Sequence, residues 1–131
     1  MIRHAWPLVS VIAVAGVLAG CAASNVADLR ADPTGTLTAH SPDSVPITAR
    51  RISTGIEQCE NISTRAQVFG ADMPADVAVD TPSMMGGVSA NAHLVPADTG
   101  ADVEITYKHF GWRKTAERMQ KLASGGATGC E

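Results

Sequence analysis

The side chains best equipped for chemistry in this 131-residue chain are the cysteines at 21, 59 and 130 and, beyond the N-terminal His4, the histidines His40, His93 and His109. A thiolate can attack an electrophile, ligate a metal or enter a disulfide, and an imidazole can carry a proton or bind a metal. Neither Cys59 nor Cys130 has a second pair of Cys or His at ligand spacing, so the sequence predicts no metal site. No G-x-S-x-G elbow, H-E-x-x-H pair, P-loop or Rossmann glycine pattern occurs, and His93 and His109 have no matched nucleophile or carboxylate pair nearby in sequence. We therefore expect no catalytic residues and no cofactor, and the chemistry left to the cysteines is covalent anchoring and cross-linking.

The first twenty residues differ in composition from the rest. Arg3 and His4 make a short basic start, and the thirteen residues from Pro7 to Ala19 form an apolar run. A helix needs about 20 apolar residues to cross a bilayer, so the run reads as the hydrophobic part of a secretory signal. It ends in Leu18-Ala19-Gly20-Cys21. This sequence resembles the lipobox of bacterial lipoprotein precursors, with a residue typical of the motif at all four positions. The resemblance covers residues 1–21 and implies a diacylglyceryl group on the Cys21 sulfur, cleavage after Gly20, and acylation of the freed amine by a fatty acid such as palmitate. One acyl chain gives marginal membrane residence, whereas each buried methylene adds about 0.8 kcal/mol, so three chains anchor permanently. Inner-membrane retention in such lipoproteins usually takes an Asp directly after the lipidated Cys. Here Ala22 stands there, so the resemblance implies the periplasmic side of the outer membrane of a Gram-negative cell.

Three segments follow from this division: a lipoprotein signal peptide over 1–20, a lipidated N-terminus and flexible tether over 21–44, and a small α+β domain over 45–131. The tether reading rests on a segment rich in Ala, Asp, Thr, Ser and Pro, with isolated Val26, Leu29 and Leu37 and no sustained hydrophobic period. Once Cys21 is assigned to lipid, Cys59 and Cys130 remain as an even pair in an oxidising compartment, and they are expected to form a disulfide.

The elements that must position these groups are legible as periodicities. Ala49, Ile52, Ile56 and Cys59 recur at helical spacing and predict a helix over 48–61, with Pro46 blocking an earlier start. Short apolar segments over 66–69, 77–81, 87–95 and 102–108, separated by Gly, Pro and Asp, predict an antiparallel meander. The clearest hairpin joins the last two through Pro96-Ala97-Asp98-Thr99-Gly100. Trp112, Ala116, Met119, Leu122 and Ala123 line one side of an amphipathic helix over 112–124, which Gly125-Gly126 ends. The fold class is α+β: one small domain of helix, antiparallel β-meander and C-terminal amphipathic helix.

Charge separates along the chain. Residues 66–107 hold six carboxylates and no Lys or Arg, whereas residues 108–121 hold five cations and Glu117 alone in opposition. Arg113, Lys114, Arg118 and Lys121 form a candidate face for an anionic envelope surface or an acidic partner, against the plainer reading of a solvated helix face. The whole chain carries a formal charge of -3 with no basic excess, so nucleic acid is not an expected partner. The expected partners are the membrane, through Cys21, and another envelope protein or anionic envelope surface. The expected role is a structural or interaction module of the cell envelope. The alternatives are a periplasmic binding protein for a ligand or envelope polymer and, more distantly, a hydrolase.

Overall fold

The computed structural model describes residues 23–82, 84, 86–126 and 130. The signal segment and Cys21 lie outside them. Nine elements follow Ala23: helix α1 (Val26–Ala31), strand β1 (Gly35–Ser41), helix α2 (Val45–Glu60), strands β2 (Thr64–Gln67), β3 (Ala75–Asp80), β4 (Val88–Pro96) and β5 (Ala101–Tyr107), a 3₁₀ turn (Phe110–Trp112) and helix α3 (Arg113–Ala123). The strands form one antiparallel sheet in the order β1-β5-β4-β3-β2. Strands β2 to β5 are the expected meander, and the fold is α+β.

Strand alternation divides the sheet into two faces. Val77 and Val79 of β3, Ala90, Ala92 and Leu94 of β4, and Val103 and Ile105 of β5 point to the side covered by α2 and α3. Ala49, Ile52 and Ile56 of α2 and Ala116, Met119 and Leu122 of α3 close this core. Gly55 allows the two helices to meet, since a Cβ there would stand 2.6 Å from the Leu122 methyl carbons. Residues on the other face, among them Asp76, His93, Glu104 and His40, stand at the alternate positions of the same strands.

Helix α2 begins at Val45, three residues before the expected start. Pro46 lies in its first turn, where an amide hydrogen has no helical acceptor to reach and the fixed φ of proline suits the helix. Its C-terminus is closed by Asn61 in the left-handed region, at φ 52°, whose N–H donates to the Glu57 carbonyl.

The segment over 21–44, expected to be a flexible tether, is instead folded from Ala23 onward. Asn25 caps α1 by accepting from the Asp28 N–H at 2.8 Å, and Leu29 is fully buried against Ala23, Ala78 and Val88. A six-residue helix is too short to stand alone, so this burial holds it in place. Strand β1 pairs with β5 over its whole length, with Leu37 opposite Ile105 and His40 opposite Asp102. Leu37 and Ala39 are too few to announce a strand by themselves, and their partners lie more than sixty residues away.

Val88 reaches the α1 side because pairing between β3 and β4 shifts after Val79. The irregularity turns Val88 out of the main core and under Leu29. Ala23 then pairs with Val88 through two backbone hydrogen bonds, Ala23 N–H to Val88 O at 3.2 Å and Val88 N–H to Ala23 O at 2.8 Å.

Candidate functional site

The structure brings Cys59, in the last turn of α2, to Cys130, with the two sulfur atoms at bonding distance and the Cα atoms 5.0 Å apart. A polar cluster ties the chain around this pair. Thr115 donates to Glu60 Oε1 at 2.6 Å, the Arg118 Nη1 lies 3.4 Å from the same oxygen, and Arg118 Nη2 donates to the Cys130 carbonyl at 2.8 Å.

Arg118 is for that reason not part of a free cationic face. Its guanidinium is drawn inward to Glu60, because residue 118 lies on the solvent face only where that face borders α2. Of the other three cations expected to meet an anionic surface, Arg113 bonds Glu117 at 3.1 Å one helical turn on, and both side chains remain largely in water. Lys114 and Lys121 are exposed and have no ion pair among the described residues. They lie on one stripe of α3, seven residues apart, or about 10 Å along the axis.

The larger assembly of polar side chains lies on the sheet face opposite α2 and α3. Asp76 of β3 receives two groups from β4: Asn91 Nδ2 donates to its Oδ1 at 3.0 Å, and His93 Nδ1 lies at 3.0 Å. His40 of β1 makes the same kind of contact with Asp102 of β5, at 2.9 Å. Glu104 lies between these pairs in the register, opposite His93 on one side and Thr38 on the other. An open groove lined by Thr38, His40, His93, Val95, Asp102 and Glu104 crosses this face. Under α1, Asn91 and Thr106 face one another across the ladder, both buried, and Asn91 Oδ1 and Thr106 Oγ1 have no hydrogen-bond partner among the described residues.

This face can orient imidazoles and present carboxylates, which suits recognition of a polar group. Among the described residues no Ser, Thr or Cys side chain is hydrogen-bonded to a histidine ring, and no group of three His, Cys, Asp or Glu is arranged to hold a metal ion. His109 lies elsewhere, at the far end of β5, where its backbone at φ 72° starts the 3₁₀ turn and its N–H donates to Thr34 Oγ1. Alternation in the sequence places Asn91 and His93 together on a polar face. It carries no sign of the partners Asp76, His40 and Asp102, which come from register between three other strands.

No family model, curated protein or solved structure matches the chain. No helix of the described residues is long and apolar enough to cross a membrane.

Proposed function

We propose that the chain is the precursor of a small lipid-anchored protein of the bacterial outer membrane, facing the periplasm and acting as a structural or interaction module of the envelope. The observation that carries this reading is Leu18-Ala19-Gly20-Cys21 at the end of a basic and apolar leader. Two further features support it. Cys59 and Cys130 stand at disulfide distance, as suits an oxidising compartment. The domain is also folded from Ala23, two residues after the proposed acylation point. Globomycin treatment and Cys21→Ser test it: each should leave an uncleaved, heavier precursor and, for the variant, loss of acyl chains. Unchanged size and membrane fraction in both would refute it.

A second reading is favoured by the groove with its two histidine–carboxylate pairs: binding of a polar ligand or envelope polymer on the open sheet face. Titration of envelope glycan fragments into protein carrying labelled histidines should shift the His40 and His93 ring signals. Unmoved rings across the series would remove this reading.

A further inference from the structure

The short connection between Cys21 and the folded domain determines which end of the domain meets the bilayer, and this inference rests on the lipid-anchored reading above. Only Ala22 separates Cys21 from Ala23. Ala23 is itself fixed, 8% exposed and doubly hydrogen-bonded to Val88 at the start of β4. Two residues reach at most about 7 Å, whereas the nine residues of β4 span about 30 Å. Acyl chains on Cys21 therefore hold the β4-start end of the sheet at the headgroups, and the opposite end lies a strand length away.

The anchored end has the surface chemistry that a bilayer interface accepts. The β3–β4 connection reaches it with Met84, which is fully exposed. Strand β5 ends there too, since Tyr107 pairs with Ala90 and the Lys108 N–H donates to the Ser89 carbonyl. The chain continues from it into Phe110, 77% exposed, and then into the first turn of α3 with Lys114. Three of the neighbouring cations stand beside a carboxylate: Lys108 by Asp32, Arg113 by Glu117 and Arg65 by Asp80. Lys114 has no carboxylate partner among the described residues. An aromatic ring and a thioether beside a free ammonium match the acyl boundary and the phosphate layer of an anionic phospholipid surface.

We propose that Met84, Phe110 and Lys114 form a docking surface for the anionic phospholipid leaflet that holds the Cys21 acyl chains. Docking there sets the strands upright on the membrane. It turns the groove of His40, His93 and Asp102, near the opposite end of β4, toward the periplasm.

Two exposed phenylalanines at opposite ends of the sheet supply the test, Phe110 at the anchored end and Phe69, 69% exposed, in the β2–β3 connection. Each is changed to Trp in a Trp112→Phe background, and the native lipidated protein is reconstituted into vesicles of phosphatidylcholine and phosphatidylglycerol with doxyl-labelled lipid. Phe110→Trp fluorescence should fall about twofold, as expected for a ring placed in the headgroup–acyl boundary, with Phe69→Trp unchanged. Adding Lys114→Glu should reduce that quenching while flotation with the vesicles persists. Flotation with Phe69→Trp quenched instead, or with neither quenched, would overturn the docking surface and leave the lipid anchor standing. Failure to float, with residues 1–20 retained, would remove the anchor and the docking surface together. Flotation with Phe110→Trp unquenched and a cross-linked second copy or protein partner at residue 110 would assign this end to protein and overturn the proposal.

Discussion

Arg51 joins three elements through one guanidinium, and its removal has a calculable cost. Nε donates to the Leu122 carbonyl at 2.6 Å and Nη2 to the Ala123 carbonyl at 3.0 Å, so the group closes the C-terminus of α3, where a cation also suits the helix dipole. Nη1 meets Asp43 at 2.6 Å, and Nη2 also reaches Ser41 Oγ at 3.2 Å, which ties in the end of β1. Its side chain is 24% exposed, so water can partly replace these bonds when they are lost. A hydrogen bond to a charged group contributes about 1.5–3 kcal/mol, and discounting four shared bonds for that rehydration leaves about 3 kcal/mol for Arg51→Met, which keeps most of the stem. For a domain of this size that lowers Tm by about 15 °C. Arg50, the adjacent residue, is exposed and makes no side-chain hydrogen bond or ion pair among the described residues, so Arg50→Met should change stability by no more than about 0.5 kcal/mol. Urea titration followed by circular dichroism on both variants measures the contrast. A double-mutant cycle with Asp43→Ala should return about 1 kcal/mol or less of coupling, because Asp43 is 41% exposed. Equal, small effects of Arg51→Met and Arg50→Met would refute the reasoning.

Pairing Cys59 with Cys130 closes a loop over a separation of 71 residues, and its loss in Cys59→Ser should cost about 4 kcal/mol by chain entropy, read as a fall in urea midpoint. Non-reduced peptide mapping should show the two cysteines linked, and alkylatable Cys59 in periplasmic material would contradict it. Gly100 turns the β4–β5 hairpin at φ 74°, and a Cβ there would run into the Ser41 carbonyl oxygen, so Gly100→Ala should destabilise by about 2 kcal/mol or more in thermal melts. Leu29→Ala should cost about 2 kcal/mol through the cavity left against Ala78 and Val88. Trypsin should spare Arg30 in the native protein and cut there promptly in that variant; rapid cutting of both would restore the tether.

Local periodicity was enough to find α3 almost to the residue, since its apolar positions all face the core and Gly125 stands just past its end. It also found β4 and β5, whose alternation is strong and whose hairpin glycine is required by geometry. Strand β1 is not legible in the sequence because its inward residues are only Leu37, Ala39 and Ser41, and its identity comes from β5 at the far end of the chain. The open-face site is hidden with it, since His40 meets Asp102 only when β1 pairs with β5. Asp76 and His93 were visible as polar residues on separate strands, and the β3–β4 register alone makes them a pair. The basic helix was found by composition, but composition is blind to Glu60 reaching across from α2 to take Arg118.

Intact mass of the protein extracted from the membranes of its native host tests the central claim most directly. The account predicts a chain that starts at Cys21, carries a diacylglyceryl group and an amide-linked acyl chain, and is two hydrogens lighter than its fully reduced form. A polypeptide with residues 1–20 present and no added lipid would contradict it.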